Sequence, residues 1–297
     1  MYDIQIISAP SILGLKPTGV QDLAAKLLSS GLAEELHSAD HIHHVQMLNH
    51  LYNETRDTET QCLNPELIKK FSLNFQKSIS EVINNKLFPV VLGGDCSILL
   101  GIMPALKKKG TFGLIFIDAH GDFYLPEQST TGEVADMDLA IVTGRGPDVL
   151  TDMDNLKPYV KDENVIHIAQ RDWEETKKFG SHDIRDTKIN CIPMDHIEHV
   201  GIEDATSTAL QYLQNLKTEG FWIHFDLDAL SDDINPAVDY RLPGGLTFQQ
   251  SERLIRSVLL TGKIVGMSVT IFNPRLDADG TIANNITESL GHSFNMV

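Results

Sequence analysis

Apolar positions along the chain fall into two alternating patterns. Short unbroken apolar runs occur at Ile4–Ile7, Pro89–Leu92, Gly113–Ile117, Val165–Ala169, Ile189–Pro193, Phe221–Phe225 and Ile264–Val269. Runs of this length, with no polar alternation, predict strands buried on both faces of a parallel sheet. Longer amphipathic stretches lie between them, at Val20–Leu28, Pro65–Asn84, Ile98–Lys108, Asp204–Leu216, Phe248–Leu260 and after Asn284. The alternation predicts an α/β fold with a mostly parallel sheet. No linker, repeat or shift in composition interrupts it, so residues 1–297 are expected to form one domain. The acidic segment Asn53–Thr60 reads as an exposed loop.

Ligands of open parallel sheets bind beyond the carboxyl ends of the strands, so the residues that follow each run matter most. Leu92 is followed by Gly-Gly-Asp95-Cys96-Ser, and Ile117 by Asp118-Ala-His120-Gly-Asp122. Ala169 is followed by Gln-Arg171-Asp172, and Phe225 by Asp226-Leu-Asp228. Carboxylates, an imidazole and a thiol are thus delivered to one edge of the sheet.

Asp118, Asp122, Asp226 and Asp228 come together if the strands Gly113–Ile117 and Phe221–Phe225 are neighbours. Carboxylates crowded in one crevice either gain protons or bind cations. Asp-x-His-x-Asp and Asp-x-Asp place their polar side chains at every second position, facing one way on extended chain. One Asp after a strand is usually a helix cap or turn former. Two alternating clusters with a histidine favour a divalent metal, Mn²⁺ first, with Fe²⁺, Ni²⁺ or Zn²⁺ also suited. A second histidine-rich stretch, His37-Ser-Ala-Asp-His41-Ile-His43-His44, has no apolar strand to aim it and reads as a surface or crossover segment.

Charge narrows the partners. Forty-one acidic against 24 basic residues give a net charge of −17, which disfavours nucleic acid and anionic membrane surfaces. It suits a cationic small molecule or metal ions. Cys62, Cys96 and Cys191 are odd in number and far apart, which fits a reducing compartment rather than a disulfide framework. Met1-Tyr-Asp-Ile has no signal-peptide pattern, and no apolar run approaches the ~18 residues of a membrane span. A cytoplasmic protein is expected.

Gly93-Gly-Asp-Cys-Ser, Asp118-Ala-His-Gly-Asp, Asp226-Leu-Asp and Leu242-Pro-Gly-Gly-Leu resemble the ureohydrolases, the family of arginase, agmatinase and formiminoglutamase. The resemblance runs from Ser8-Ala-Pro-Ser-Ile-Leu-Gly through Thr18-Gly-Val, Gly31-Leu and Arg171-Asp172 to Asn273-Pro274. It implies a three-layer α/β/α domain with a mainly parallel eight-stranded sheet, and a homo-oligomer. It also implies two Mn²⁺ ions bridged by hydroxide. Asp118 and Asp226 would bridge both ions, His120 and Asp228 would complete one site, and Asp122 and Cys96 the other. His120 and Asp122 are the candidate catalytic residues; Asp122 is placed to pass a proton to the leaving amine. The substrate would be a guanidino or amidino compound, cleaved to urea or an amide plus an amine.

Four positions depart from the family pattern. Cys96 stands where a metal-binding histidine is usual, as a thiolate ligand or as a neutral thiol packed against the sheet. A proton-shuttling histidine is replaced by Ala135. The guanidinium-binding glutamate falls at Ile271, two before Asn273. Tyr124 replaces a small polar residue that binds the amino-acid end of arginine. Glu133, Asp136 and Glu174 are candidates to meet a cationic substrate, and Tyr124 and Trp173 to wall its pocket. The expected activity is hydrolysis of a guanidino or amidino compound other than free arginine. The alternatives are an N-hydroxyarginine-type hydrolase, a catalytically impaired metal-binding relative, and a thiol enzyme using Cys96 and His120.

Overall fold

In the computed structural model, residues 2–38 and 41–295 are described. Eight strands form one parallel sheet: β1 Ile4–Ser8, β2 Ile42–His44, β3 Phe88–Leu92, β4 Phe112–Ile117, β5 Val165–Ile168, β6 Asn190–Ile192, β7 Gly220–Asp226 and β8 Ile264–Thr270. Their order is β2-β1-β3-β8-β7-β4-β5-β6. All seven apolar runs are strands, to within a residue or two at their ends. β2 is the exception: the histidine-rich stretch supplies an edge strand, parallel to β1 with Ile7 opposite His43. It carries no apolar run because it is half-exposed. Ala39 and Asp40 of that stretch lie outside the described residues.

The sheet is sandwiched by helices, giving three layers. Strand residues alternate between the two cores, as period 2 requires. Ile115 and Ile117 face one layer, which includes helices Leu23–Ser29, Ile202–Asn215, Phe248–Leu259 and Thr281–Phe294. Leu114 and Phe116 face the other, which includes Pro65–Asn84, Leu99–Lys107 and Asp138–Val142. Among the described residues no helix is long and apolar enough to cross a membrane.

The strand order decides where chemistry collects. β4 and β7 are neighbours, with Ile117 opposite Phe225. Asp118 and Asp226 therefore leave the sheet side by side. β8 lies between β7 and β3, so the loop after β3 reaches this edge over Thr270, which pairs with Asp226.

Candidate metal centre

The loop after β3 is shaped by close backbone approach. A Cβ on Gly94 would lie 1.9 Å from the Ser11 carbonyl oxygen, so only glycine fits. Asp95 is fully buried; one carboxylate oxygen accepts from Ser97 N (2.9 Å) and the other from Gly14 N (3.2 Å). This tie holds Cys96 beneath the edge of the sheet, 1% exposed. Its Sγ lies 2.9 Å from Asp226 Oδ2 and 3.2 Å from Thr270 Oγ1.

The loop after β4 turns inward. Asp118 Oδ1 accepts from His120 N at 2.7 Å, while Asp118 Oδ2 is buried with no hydrogen-bond partner. The His120 imidazole Nδ1 lies 2.9 Å from Asp228 Oδ2, and its carbonyl oxygen accepts from His167 Nε2 at 2.8 Å. Asp122 holds a left-handed backbone (φ 45), and Asp138 is one of the charges that act on its carboxyl group. Asp138 is fully buried, and no donor reaches either of its oxygens.

After β7, Asp226 Oδ1 accepts from Asp228 N (2.8 Å), and Asp228 Oδ1 from Ala119 N (3.2 Å). Arg171 staples this loop from outside. Its guanidinium donates to the carbonyls of Asp228 (2.8 Å), Leu230 (3.2 Å) and Pro243 (3.2 Å). Arg171 is thus structural, joining Asp226-Leu-Asp to Leu242-Pro-Gly-Gly.

Crowding sets the protonation states. Burial, then the Asp228 charge, pushes Asp118 up to about 7. Burial and neighbouring carboxylates raise Asp122, Asp138 and Asp226 well above the usual carboxylate range. Burial opposes charge on His120 too, but Asp228 and Asp118 outweigh it and hold its pKa well above normal. Burial likewise opposes ionisation of Asp228, yet His120 and Arg171 keep its pKa below normal. Cys96 is raised by burial and by Asp226, so it is a poor free nucleophile.

The donor set suits divalent metal. Asp118, His120 and Asp228 each offer a ligand atom within 4.8 Å of the others, and so do Cys96, Asp118 and His224. Together with the unpartnered Asp118 Oδ2, this is a cradle in which carboxylates outnumber basic side chains.

A cavity of about 150 Å³ opens above these groups. Part of its wall is apolar, where Leu15, Ala135 and Ile271 cluster. Another part is acidic: Glu133, Asp136, Asp172 and Glu175 line it, with Tyr124, Phe179 and Tyr240, and Lys16 Nζ lies 3.8 Å from Glu133. Glu133 accepts from Tyr240 Oη at 2.7 Å. Asp136 accepts from Ser129 Oγ at 3.1 Å, and burial pushes it up to about 7. Among the described residues no lysine or arginine lines this cavity. A larger, open groove of about 910 Å³ runs beside helix Pro65–Asn84, past Lys69, Lys70 and Lys77, remote from these groups.

Cys96, His120, Asp122, Tyr124, Glu133, Asp136, Asp226 and Asp228 all line the inner cavity, and Asp118 lies beneath it. Trp173 and Glu174 do not. The helix Trp173–Phe179 turns Asp172, Glu175 and Phe179 toward the cavity at helical spacing. Trp173 instead packs under Arg185, whose guanidinium carbon sits 3.9 Å from the ring centroid, and Glu174 is exposed. Sequence reasoning missed His224, Asp138, Thr270 and Tyr240. His224 had a signal, since it extends the two-residue spacing of Asp226 and Asp228 backward by one step.

The family model described as Arginase family matches residues 2–295. The chain is similar to arginase from Staphylococcus aureus, 29% identical over 298 positions that cover 98% of this chain and 96% of that protein. Native arginase from Bacillus caldovelox superposes with a TM-score of 0.88 at 26% identity, covering 100% of this chain and 99% of that one. Formimidoylglutamase from Bacillus subtilis shares the fold, with a TM-score of 0.74 at 16% identity over 99% of this chain and 86% of that one.

Proposed function

From the premise that this chain belongs to the arginase family and is a hydrolase of that kind, we propose that its substrate is a guanidino or amidino cation other than free arginine. The observation that carries this is the cavity's polarity: an apolar patch of Leu15, Ala135 and Ile271 beside an acidic lining whose one basic side chain, among the described residues, is His120, with Lys16 reaching Glu133 at 3.8 Å. Ala135 and Ile271 stand where the resemblance expects a histidine and a guanidinium-binding glutamate, and they offer neither. Glu133, Asp136 and Asp172 repel the α-carboxylate of arginine and welcome an amine. A guanidinoalkylamine or amidinoalkylamine matches both parts of the wall.

The residues to hold divalent ions, Mn²⁺ by family analogy, are Asp118, His120, Asp122, Asp226 and Asp228, with Cys96 at one side. Ions held there supply a water of lowered pKa, a nucleophile present at neutral pH. Asp122 accepts a proton at the cavity floor and returns it to the leaving nitrogen. Asp138 beside it helps keep that carboxyl protonatable by like-charge repulsion. Glu133, held by Tyr240, and Asp136, held by Ser129, orient the cationic tail of the substrate. The half-buried Tyr124 ring walls the space between.

Assays of the Mn²⁺-loaded protein for urea, ammonia or amide release test this over arginine, decarboxylated guanidines, amidines and N-hydroxyguanidines. Turnover of a carboxylate-free cation is expected, lowered about 10²-fold or more by Asp122→Asn. Free arginine turning over best would overturn the reading.

A further inference from the structure

We propose that His224 supplies, from β7, the imidazole absent from the loop after β3, so that Cys96, Asp118 and His224 form a sulfur–nitrogen–oxygen site for a divalent ion of the Zn²⁺, Co²⁺ or Fe²⁺ class. This deepens the metal-dependent reading above and rests on it. The ligand has moved to the neighbouring structure rather than been lost.

The geometry carries the assignment. One ring nitrogen of His224, Cys96 Sγ and an Asp118 carboxylate oxygen lie within 4.8 Å of one another, and all three side chains are buried. His224 and Asp226 stand two residues apart on β7, so His224 sits one pleat below Asp226 on the same face. Phe116 is its register partner on β4, and the two rings stack with centroids 5.0 Å apart and planes at 19°. The ring therefore has little freedom to turn away.

Hydrogen bonding orients the free nitrogen. Trp222 Nε1 donates to Ser268 Oγ at 3.0 Å, and the Ser268 hydroxyl is directed at the Ile223 carbonyl, 3.5 Å away. Ser268 Oγ lies 2.9 Å from His224 Nδ1, and a metal-binding ring in the Nδ1–H tautomer donates to it. In that tautomer Nε2 carries the lone pair and faces Thr270 Oγ1 at 3.5 Å, the same hydroxyl that lies 3.2 Å from Cys96 Sγ. A second ring nitrogen tied to an outer partner is the usual arrangement of a metal-binding histidine. Asp118 Oδ2, buried and unpartnered, is an independent sign that a cation belongs in this space.

Donor chemistry selects the ion. One thiolate, one imidazole and one carboxylate suit Zn²⁺, Co²⁺ or Fe²⁺ better than Mn²⁺. Binding forms an S–metal bond and releases the thiol proton to solvent, with no change of oxidation state. The two sides of the centre would then differ in softness: oxygen-rich around Asp228, and sulfur-containing around Cys96.

Titration of the metal-free full-length protein with Co²⁺ reads this directly, through the near-ultraviolet thiolate-to-Co²⁺ absorption. The wild type is expected to develop the band, and Cys96→Ala to lose it. His224→Gln should weaken Co²⁺ binding at the thiolate site by about tenfold or more. Adding Cys96→His to His224→Gln should restore tight binding of a second ion, counted by elemental analysis, because an imidazole returns to the opposite wall. A folded His224→Gln protein with wild-type Co²⁺ affinity and band overturns the proposal. If that variant does not fold, Ser268→Ala, which frees Nδ1 and leaves the ring in place, should weaken the band-forming site several-fold; an unchanged affinity overturns the proposal equally. Binding of divalent metal without any thiolate band defeats this inference alone, whereas failure to bind any divalent metal defeats the metal-dependent reading as well.

Discussion

Two residues set the character of the cavity, one by shape and one by charge. Ile271 adopts a left-handed backbone (φ 62) that β-branched residues avoid, at a cost of roughly 1–2 kcal/mol. The conformation persists because its N–H donates to the Gly94 carbonyl at 2.9 Å and its side chain is buried against Leu15 and Ala135. Strain of this kind gathers at functional sites, and here it aims an apolar group at the reacting end of the cavity. Asp136 supplies the charge. Burial raises it to about 7, so it is mostly protonated at pH 6 and mostly ionised at pH 8. A cationic substrate binds the ionised form, so KM should fall as pH rises, by up to about tenfold between pH 6 and 8. Asp136→Asn should raise KM at pH 8 and flatten its pH profile, measured as initial rates across that range; a profile unchanged by the substitution would remove Asp136 from substrate binding.

The elements show what a sequence reveals about a site and what it withholds. Asp118, His120 and Asp122, and Asp226 with Asp228, were legible because each set follows an unbroken apolar run. Strand ends in a parallel sheet have only one functional edge. His224 was hidden because it lies inside such a run, where a histidine reads as core. Trp173 and Glu174 were misplaced because their role depended on the phase of a short helix, which one polar heptad does not fix. Strand β2 was missed because a half-exposed edge needs no apolar run. The loop after β3 was legible in its glycines but not in its tightness. Gly94→Ala would drive a Cβ into the Ser11 backbone, which cannot give way as a side chain could. The expected loss is about 3 kcal/mol or more, since relief requires moving the Ser8-Ala-Pro-Ser strand exit. Thermal unfolding should show it, together with loss of the Co²⁺–thiolate band, because the same loop carries Cys96.

At the scale of the whole molecule, a chain of net charge −17 has also buried Asp118, Asp122, Asp138, Asp226 and Asp228 around one point. The metal-free fold must oppose their mutual repulsion. Asp118, Asp122, Asp138 and Asp226 have folded pKa values above the unfolded value of about 4. A carboxyl group shifted in that direction favours the folded state at low pH, and its contribution disappears as pH rises through the folded pKa. Asp228 runs the other way, since its lowered pKa stabilises the fold once pH exceeds about 4. His167 and His224, which burial lowers to about 4 and about 3, also favour the fold as pH rises toward their unfolded value of about 6.5. Above that pH only the raised groups still titrate, so the metal-free protein should lose stability from about pH 6.5 upward. Divalent ions bind the ionised carboxylates of the folded state, so added metal should raise Tm little at pH 5 and much more at pH 8. Melting curves with Mn²⁺, Zn²⁺ or chelator at the two pH values measure the difference. Equal stabilisation at both would mean that the cluster is not what the metal neutralises, and that the buried carboxylates owe their place in this fold to something other than a cation.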